Sequence, residues 1–311
     1  MMKANWIDDY GPVEAMRFGD RPQPEPGPRD LLVRVAAASV NPIDWKMREG
    51  MLRQVMQLRM PYVLGRDFSG TVIGAGAEAK DFASGDEVFG VVDGLRGGAQ
   101  AEIVATDQDL VAKKPRGLDH AAAAALPLAG ATAMISLEDV GKLASGERVL
   151  IHGGAGGVGG IAVQIAKARG AWVAATCRSS NVDYVKSLGA DRVIDYTRED
   201  FAAALRDLDL VYDTVGGEVH RRSQGVLKPG GRLVYIAAAP LPQGTLRADI
   251  TVARAEIRTR RSVLERIAAL VDAGKLTPQV SAVLPLAQAA KAYETVKAGS
   301  IRGKIVLTAG G

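Results

Sequence analysis

A chain of 311 residues is long enough for two domains, and its 47% hydrophobic and 24% charged content excludes both a disordered polymer and a fibre. The net charge of +4 is small for this length; Arg258, Arg260 and Arg261, the densest basic group, read as a solvated face, so nucleic acid is not an expected partner. The single cysteine, Cys177, rules out an internal disulfide and suits a reducing, cytoplasmic setting, and no apolar stretch is long enough to span a membrane.

Met1 to Tyr10 carries Asp8 and Asp9 and lacks an apolar run, so no signal peptide is expected there. Pro22, Pro24, Pro26 and Pro28 keep the next segment extended. Leu31 to Val40 then reads as a strand broken at Asn41-Pro42, with a short helix from Ile43 to Glu49 that ends at Gly50. Val63 to Ile73, Gly85 to Val92 and Ala99 to Ala105 are strand-rich and punctuated by glycine, the pattern of a compact β-rich barrel. From about Asp119 the period becomes helical and rich in alanine.

Val149-Leu150-Ile151-His152 is an apolar run that stops in glycines, and a helical pattern opens at Gly157. Gly154, Gly156 and Gly159 fit G-x-G-x-x-G, while Gly153, Gly156 and Gly159 fit a G-x-x-G-x-x-G form of the same turn. Between a strand and a helix such glycines permit the turn, let the backbone approach a pyrophosphate and let the helix pack close to the strand. The phosphates then meet the free N–H groups at the helix start. Further strands follow at Trp172–Thr176, Arg192–Asp195, Leu208–Asp213 and Arg232–Ile236, with a helix from Asn181 to Leu188. Strands alternating with helices predict a doubly wound parallel sheet.

The second strand of that unit runs into Thr176-Cys177-Arg178-Ser179-Ser180-Asn181. An NAD site normally ends this strand in an acid that bonds the ribose 2′-OH. Here an arginine and hydroxyls match a 2′-phosphate instead, so NADPH is the expected cofactor, with Arg178 and Ser179 at the phosphate. Arg178 also reads as a plain surface arginine, with Ser179–Asn181 capping the next helix. Beyond it come a helix from Ser262 to Ala273, a strand from Val280 to Leu284, a helix from Leu286 to Ala298 and a last strand from Lys304 to Leu307. Since the nucleotide unit already has its strands, this tail is expected to return to the first domain. The expected division is 1–118, 119–274 and 275–311.

In order along the chain stand Ser39-Val40-Asn41-Pro42-Ile43-Asp44, Leu64-Gly65-Arg66-Asp67-Phe68-Ser69-Gly70, Gly85-Asp86-Glu87-Val88-Phe89-Gly90 and Leu126-Pro127-Leu128-Ala129-Gly130-Ala131-Thr132-Ala133. Ala155-Gly156-Gly157-Val158-Gly159, Asp213-Thr214-Val215-Gly216-Gly217 and Gly303-Lys304-Ile305-Val306-Leu307 complete the series. Together these resemble the zinc-independent medium-chain dehydrogenase/reductase superfamily, in its quinone oxidoreductase (zeta-crystallin-like) branch. The resemblance implies an α/β fold in which a Rossmann doubly wound parallel sheet is inserted into a GroES-like β-rich catalytic domain. It also implies a homodimer that moves hydride from NADPH to a quinone or an α,β-unsaturated carbonyl.

For the cofactor, the resemblance implies contacts from Thr132, Gly153, Gly154, Ala155, Gly156, Gly157, Val158, Gly159, Tyr196, Thr214, Val215 and Ala237, with Tyr196 near the adenosine phosphate and Thr132 against the nicotinamide. Asn41 and Asp44 are implied to face the substrate. Asn41 can donate to a carbonyl oxygen, and Lys46 on the same short helix can assist or supply a proton through water, although Asn41 before Pro42 is also a turn residue and Lys46 a candidate for plain solvation. No metal is expected. Where zinc relatives carry ligands this chain has Asp44 and Gly65-Arg66-Asp67, and His120, His152 and His220 lack metal-ligand spacing. A non-catalytic NADPH-binding protein is the alternative from a different class; the surviving polar groups Asn41, Asp44, Lys46 and Thr132 favour an enzyme.

Overall fold

The computed structural model describes residues 1–236, 247–299 and 301–309. Its contacts divide the chain into two units, Met1–Ala129 with Thr259–Asp272 and Pro278–Gly311, and Gly130–Arg258 with Ala273–Thr277.

The first unit opens with β1 (Met2–Ile7), β2 (Arg17–Arg21), β3 (Asp30–Val40), α1 (Pro42–Arg48), β4 (Tyr62–Val63), β5 (Asp67–Ala75), β6 (Glu87–Val91), β7 (Ile103–Asp107), β8 (Val111–Lys113) and α2 (His120–Ala124). Helix α3 (Pro127–Met134) follows, running into a π-helical turn at Ile135–Val140. The second unit holds β9 (Arg148–Ile151), α4 (Gly157–Ala168), β10 (Trp172–Cys177), α5 (Val182–Ser187), β11 (Arg192–Asp195), α6 (Phe201–Ala204), β12 (Leu208–Asp213), α7 (Glu218–Ser223), β13 (Leu227–Tyr235) and β14 (Thr251–Arg254). The chain then returns to the first unit with α8 (Arg261–Asp272), β15 (Val280–Pro285), α9 (Ala289–Ala298) and β16 (Lys304–Thr308).

In the first unit β3 organises the larger sheet, whose order is β15-β16-β3-β5-β6-β8, with β7 pairing to β3; a smaller sheet runs β2-β1-β4. Leu31, Val33 and Val35 of β3 alternate inward and pack with Phe68, Val72, Val88 and Val104 in one buried cluster. The tail closes on this sheet, since β16 pairs antiparallel with the C-terminal half of β3, Ile305 opposite Val40. That register sets Lys304 beside the end of β3, where α1 begins.

In the second unit the sheet is parallel throughout, with order β11-β10-β9-β12-β13-β14. Counted from β9 this is 3-2-1-4-5-6, the doubly wound order that places ligands beyond the carboxyl ends of the strands at the β9/β12 switch point. Leu150, Ala174, Ile194, Val211 and Leu233 form its buried middle.

The contact boundaries differ from 118/119 and 274/275. Helix α2 stays with the first unit because Ala124 and Ala125 pack with Ala37 and Val306 of its sheet. Helix α8 joins it too, packing on β8, with Arg261 Nη2 donating to the Gln108 carbonyl at 2.8 Å and Nη1 to Asp81 at 2.7 Å.

Candidate active site

Strand β9 delivers the glycine turn. Val149, Leu150 and Ile151 are fully buried, and His152 ends the run as a core group with Nε2 3.0 Å from Ser223 Oγ and Nδ1 3.2 Å from Thr176 Oγ1. Burial pushes its imidazole down to about 4, so it is neutral near pH 7. Gly153 takes φ +72°, and the turn closes where Gly156 N donates to the Gly153 carbonyl at 3.0 Å. A Cβ on Gly159 would lie 2.1 Å from that same carbonyl oxygen, so only glycine lets α4 approach the strand. A Cβ on Gly156, by contrast, would meet nothing nearer than 3.5 Å among the described residues.

Among the described residues, then, Gly156 at the start of α4 is not crowded. The first helical bond there runs from Gly160 N to the Gly156 carbonyl, and Gly156 brings no side-chain cap. That leaves the N–H groups of Gly157, Val158 and Gly159 without intrahelical acceptors, so backbone donors and the positive end of the helix dipole gather at the start of α4, the kind of arrangement that receives an anionic group. Gly154 and Ala155 are buried behind it. Across the switch point, Asp213 Oδ1 accepts from Val215 N at 2.8 Å and Gly216 N at 2.9 Å, Asp213 Oδ2 pairs with His220 Nδ1 at 3.0 Å, and Thr214 Oγ1 donates to the His152 carbonyl at 2.7 Å. Thr214 and Val215 thus stand beside the glycine turn on a braced loop, with Val215 exposed. Thr132 is buried on α3. Ala237 lies outside the described residues.

At the far ends of β10 and β11 the sequence-selected residues also meet. Arg178 Nε donates to Tyr196 Oη at 2.6 Å, and both side chains are exposed. Ser179 is there too, but its hydroxyl donates to Asp195, a carboxylate from the neighbouring strand. No acid ends β10 itself.

The polar centre of the first unit is built on Asp67, which is fully buried. Its Oδ2 accepts from Ser39 Oγ at 2.7 Å and from Asn41 Nδ2 at 2.9 Å, its Oδ1 from Leu128 N at 2.9 Å, and Lys304 Nζ stands 3.7 Å away. Lys304 Nζ also donates to the Val40 carbonyl at 2.9 Å and to Asn41 Oδ1. Desolvation draws the Lys304 ammonium below its usual range. Asn41 caps α1, and Asp44 Oδ2 returns to accept from Asn41 N at 2.7 Å. Burial pushes the Asp44 carboxyl up to about 7.

Asn41 and Asp44 are thus brought together, while Lys46 is not part of the cluster. Two residues beyond Asp44 on a helix it points elsewhere, half-buried, with Nζ 5.6 Å from the Trp45 ring. The expected outward role of Asn41 needs revising, since its carboxamide oxygen and one N–H are committed to Lys304 and Asp67 and only 4% of the residue is exposed. At most one N–H is left for a ligand. Sequence reasoning missed Asp67 and Lys304 as members of this site, although both lie in the quoted motifs.

The three histidines stand apart: His120 Nδ1 meets Ser69 Oγ at 2.8 Å in the first unit, and His152 and His220 are buried in the second. Among the described residues no group of three or more His, Cys, Asp or Glu is placed to hold a metal ion.

Two family models match the chain: the alcohol dehydrogenase GroES-like domain over residues 27–116 and the zinc-binding dehydrogenase over 188–307. The 2-methylene-furan-3-one reductase of Solanum lycopersicum is 35% identical, covering 98% of this chain and 79% of its own. The mitochondrial NAD(P)H oxidoreductase RTN4IP1 of Danio rerio is 33% identical, covering 99% and 91%. The solved quinone oxidoreductase of Coxiella burnetii aligns with a TM-score of 0.89 at 33% identity over 99% of both chains.

The chain belongs to the medium-chain dehydrogenase/reductase superfamily. Within it the chain is of quinone oxidoreductase type, an oxidoreductase with a GroES-like domain and a Rossmann-like parallel sheet. As a superfamily member it carries Arg66 in the Gly65-Arg66-Asp67 stretch, with Nε 3.4 Å from the Val92 carbonyl, and there the neighbouring carboxylate serves Ser39, Asn41 and Lys304.

Proposed function

We propose that this protein is an NADPH-dependent, zinc-independent reductase of quinones or α,β-unsaturated carbonyls. The observation that carries the reading is the glycine turn, where Gly156 is uncrowded among the described residues while Gly159 and Gly154 are packed shut. Gly156, Gly157, Val158 and Gly159 would hold the pyrophosphate through backbone N–H groups, and Thr214 and Val215 would line the nicotinamide side. Arg178, steadied by Tyr196, would meet a 2′-phosphate, which is the ground for NADPH over NADH. Bound there, the nicotinamide supplies the hydride.

The chain's own task is to meet the negative charge that forms on the substrate oxygen. The group able to donate is the second N–H of Asn41, held as a donor because Lys304 takes the carboxamide oxygen; Lys46, directed away from this cluster, takes no part. Asp67 and Arg66 stand where metal-binding relatives would present ligands, and a guanidinium repels a cation, which favours chemistry without zinc. The enone class is favoured by the name of the tomato relative and the quinone class by that of the Coxiella structure.

A non-catalytic NADPH-binding protein is the second reading, supported by the depth at which Asn41 is buried. Oxidation of NADPH and of NADH, followed at 340 nm against a panel of quinones, enones and saturated ketones, separates them. Turnover of quinones or enones is expected, and tight NADPH binding with no turnover on any acceptor would establish the second reading.

A further inference from the structure

The acid that β10 lacks arrives from β11. Their parallel register sets Asp195 opposite Cys177, so the carboxylate reaches the strand end next to Arg178 and Ser179. Its Oδ2 accepts from Ser179 Oγ, and its Oδ1 accepts from Thr197 N at 3.0 Å and Thr197 Oγ1 at 2.7 Å. The Ser179 hydroxyl, first among several donors, holds this carboxyl below its usual range, so it is ionised at neutral pH. Arg198 Nε, at 3.7 Å on a side chain 80% exposed, neutralises it only weakly.

The consequence is chemical. Ser179 Oγ also lies 2.9 Å from Thr197 Oγ1, either of the two being able to donate, and an ionised carboxylate only accepts, so the single proton of Ser179 points inward and at least one lone pair of its hydroxyl is left for the site. A phosphate monoester brings oxygen acceptors and negative charge, whereas a free ribose 2′-hydroxyl has a proton to give. Ser179 and Asp195 therefore oppose a 2′-phosphate twice, by like charge and by setting acceptor against acceptor, while Arg178 attracts it.

We propose that Asp195, acting through the Ser179 hydroxyl, is a cofactor-specificity residue that offsets Arg178 and admits a nicotinamide dinucleotide with a free 2′-hydroxyl alongside one with a 2′-phosphate. The inference rests on the reading that NAD(P)H occupies the 153–159 turn. Asp195→Asn removes the charge and gives position 195 an amide that can donate to Ser179 Oγ, which turns the hydroxyl proton outward.

The test is equilibrium binding of NADPH and of NADH, read from the fluorescence of the reduced nicotinamide without any acceptor present. Asp195→Asn should raise the ratio of NADPH to NADH affinity by about five-fold or more, the scale of one hydrogen bond and one exposed charge. Ser179→Ala, which leaves the carboxylate in place, should weaken NADH several-fold and NADPH not at all, and in that background Asp195→Asn should move the ratio less. An unchanged ratio in folded Asp195→Asn, or NADH binding indifferent to Ser179→Ala, overturns the inference. A wild-type chain that binds neither nucleotide overturns the cofactor reading and this inference with it, so the two failures are told apart.

Discussion

Asp44 sets a pH dependence that the structure makes calculable. Its carboxyl is 3% exposed and accepts one hydrogen bond, from Asn41 N, while Asp67 lies near enough to disfavour a second negative charge. Burial lifts it from an ordinary 3.8 to about 7. The unfolded chain therefore gives up this proton near pH 4 and the folded chain near pH 7. Between those values the folded state binds more protons, so stability falls as pH rises, and the slope vanishes once both states are ionised.

Each pH unit in that window is worth about 1.4 kcal/mol for a single group. Asp44→Asn keeps an oxygen for the Asn41 N–H and never ionises. The variant's stability relative to wild type should thus improve by about 2–3 kcal/mol between pH 5 and pH 7 and stay level above pH 8. Urea unfolding of both proteins at half-unit intervals, with equal m-values, measures the difference. A difference that does not change with pH would refute the reasoning, because it would mean that Lys304 keeps Asp44 ionised throughout.

Gly156→Val should fold normally and lose NAD(P)H binding, whereas Gly159→Ala should lower Tm because its Cβ would stand 2.1 Å from the Gly153 oxygen; thermal melts and nucleotide titrations of both variants separate pyrophosphate space from packing space. Arg178→Ala should weaken NADPH binding about ten- to a hundred-fold with little effect on NADH, and equal weakening of both in a binding titration would leave Arg178 a structural residue. Elemental analysis of the purified protein should find no stoichiometric zinc, with activity indifferent to chelators; one zinc per chain whose removal abolishes activity would contradict the metal-free reading.

Much of the fold was legible where the pattern carries its own physics. The apolar run ending at Ile151, the glycines and the helix from Gly157 obey one local geometry, and the strand at Arg192–Asp195 is found as expected. Strands β1 and β2 were not foreseen: Met2–Ile7 mixes lysine, asparagine and tryptophan, and Arg17–Arg21 is mostly polar, so neither alternates cleanly. The four residues of β14 are too few to carry a period. At the sites the divide is the same. The family resemblance pointed to Asn41 and Asp44, and the end of the second Rossmann strand to Arg178 and Ser179, but neither pointed to the partners brought by tertiary pairing, Lys304 through β16 against β3 and Asp195 through β11 against β10. Such partners give Asn41 its orientation and Ser179 its inward proton, and no local window of sequence contains them.

The central claim is direct transfer of hydride from NADPH to an electrophilic carbon. Each C4 epimer of deuterated NADPH, incubated in turn with the protein and a simple enone, tests it in a single product analysis by mass spectrometry and NMR. One epimer should leave deuterium on the β-carbon of the saturated product and the other none, with Asn41→Ala lowering kcat/KM by about ten-fold or more as an oxyanion donor is lost. Deuterium on the carbonyl carbon, or efficient reduction of saturated ketones while enones and quinones stay untouched, would contradict the account.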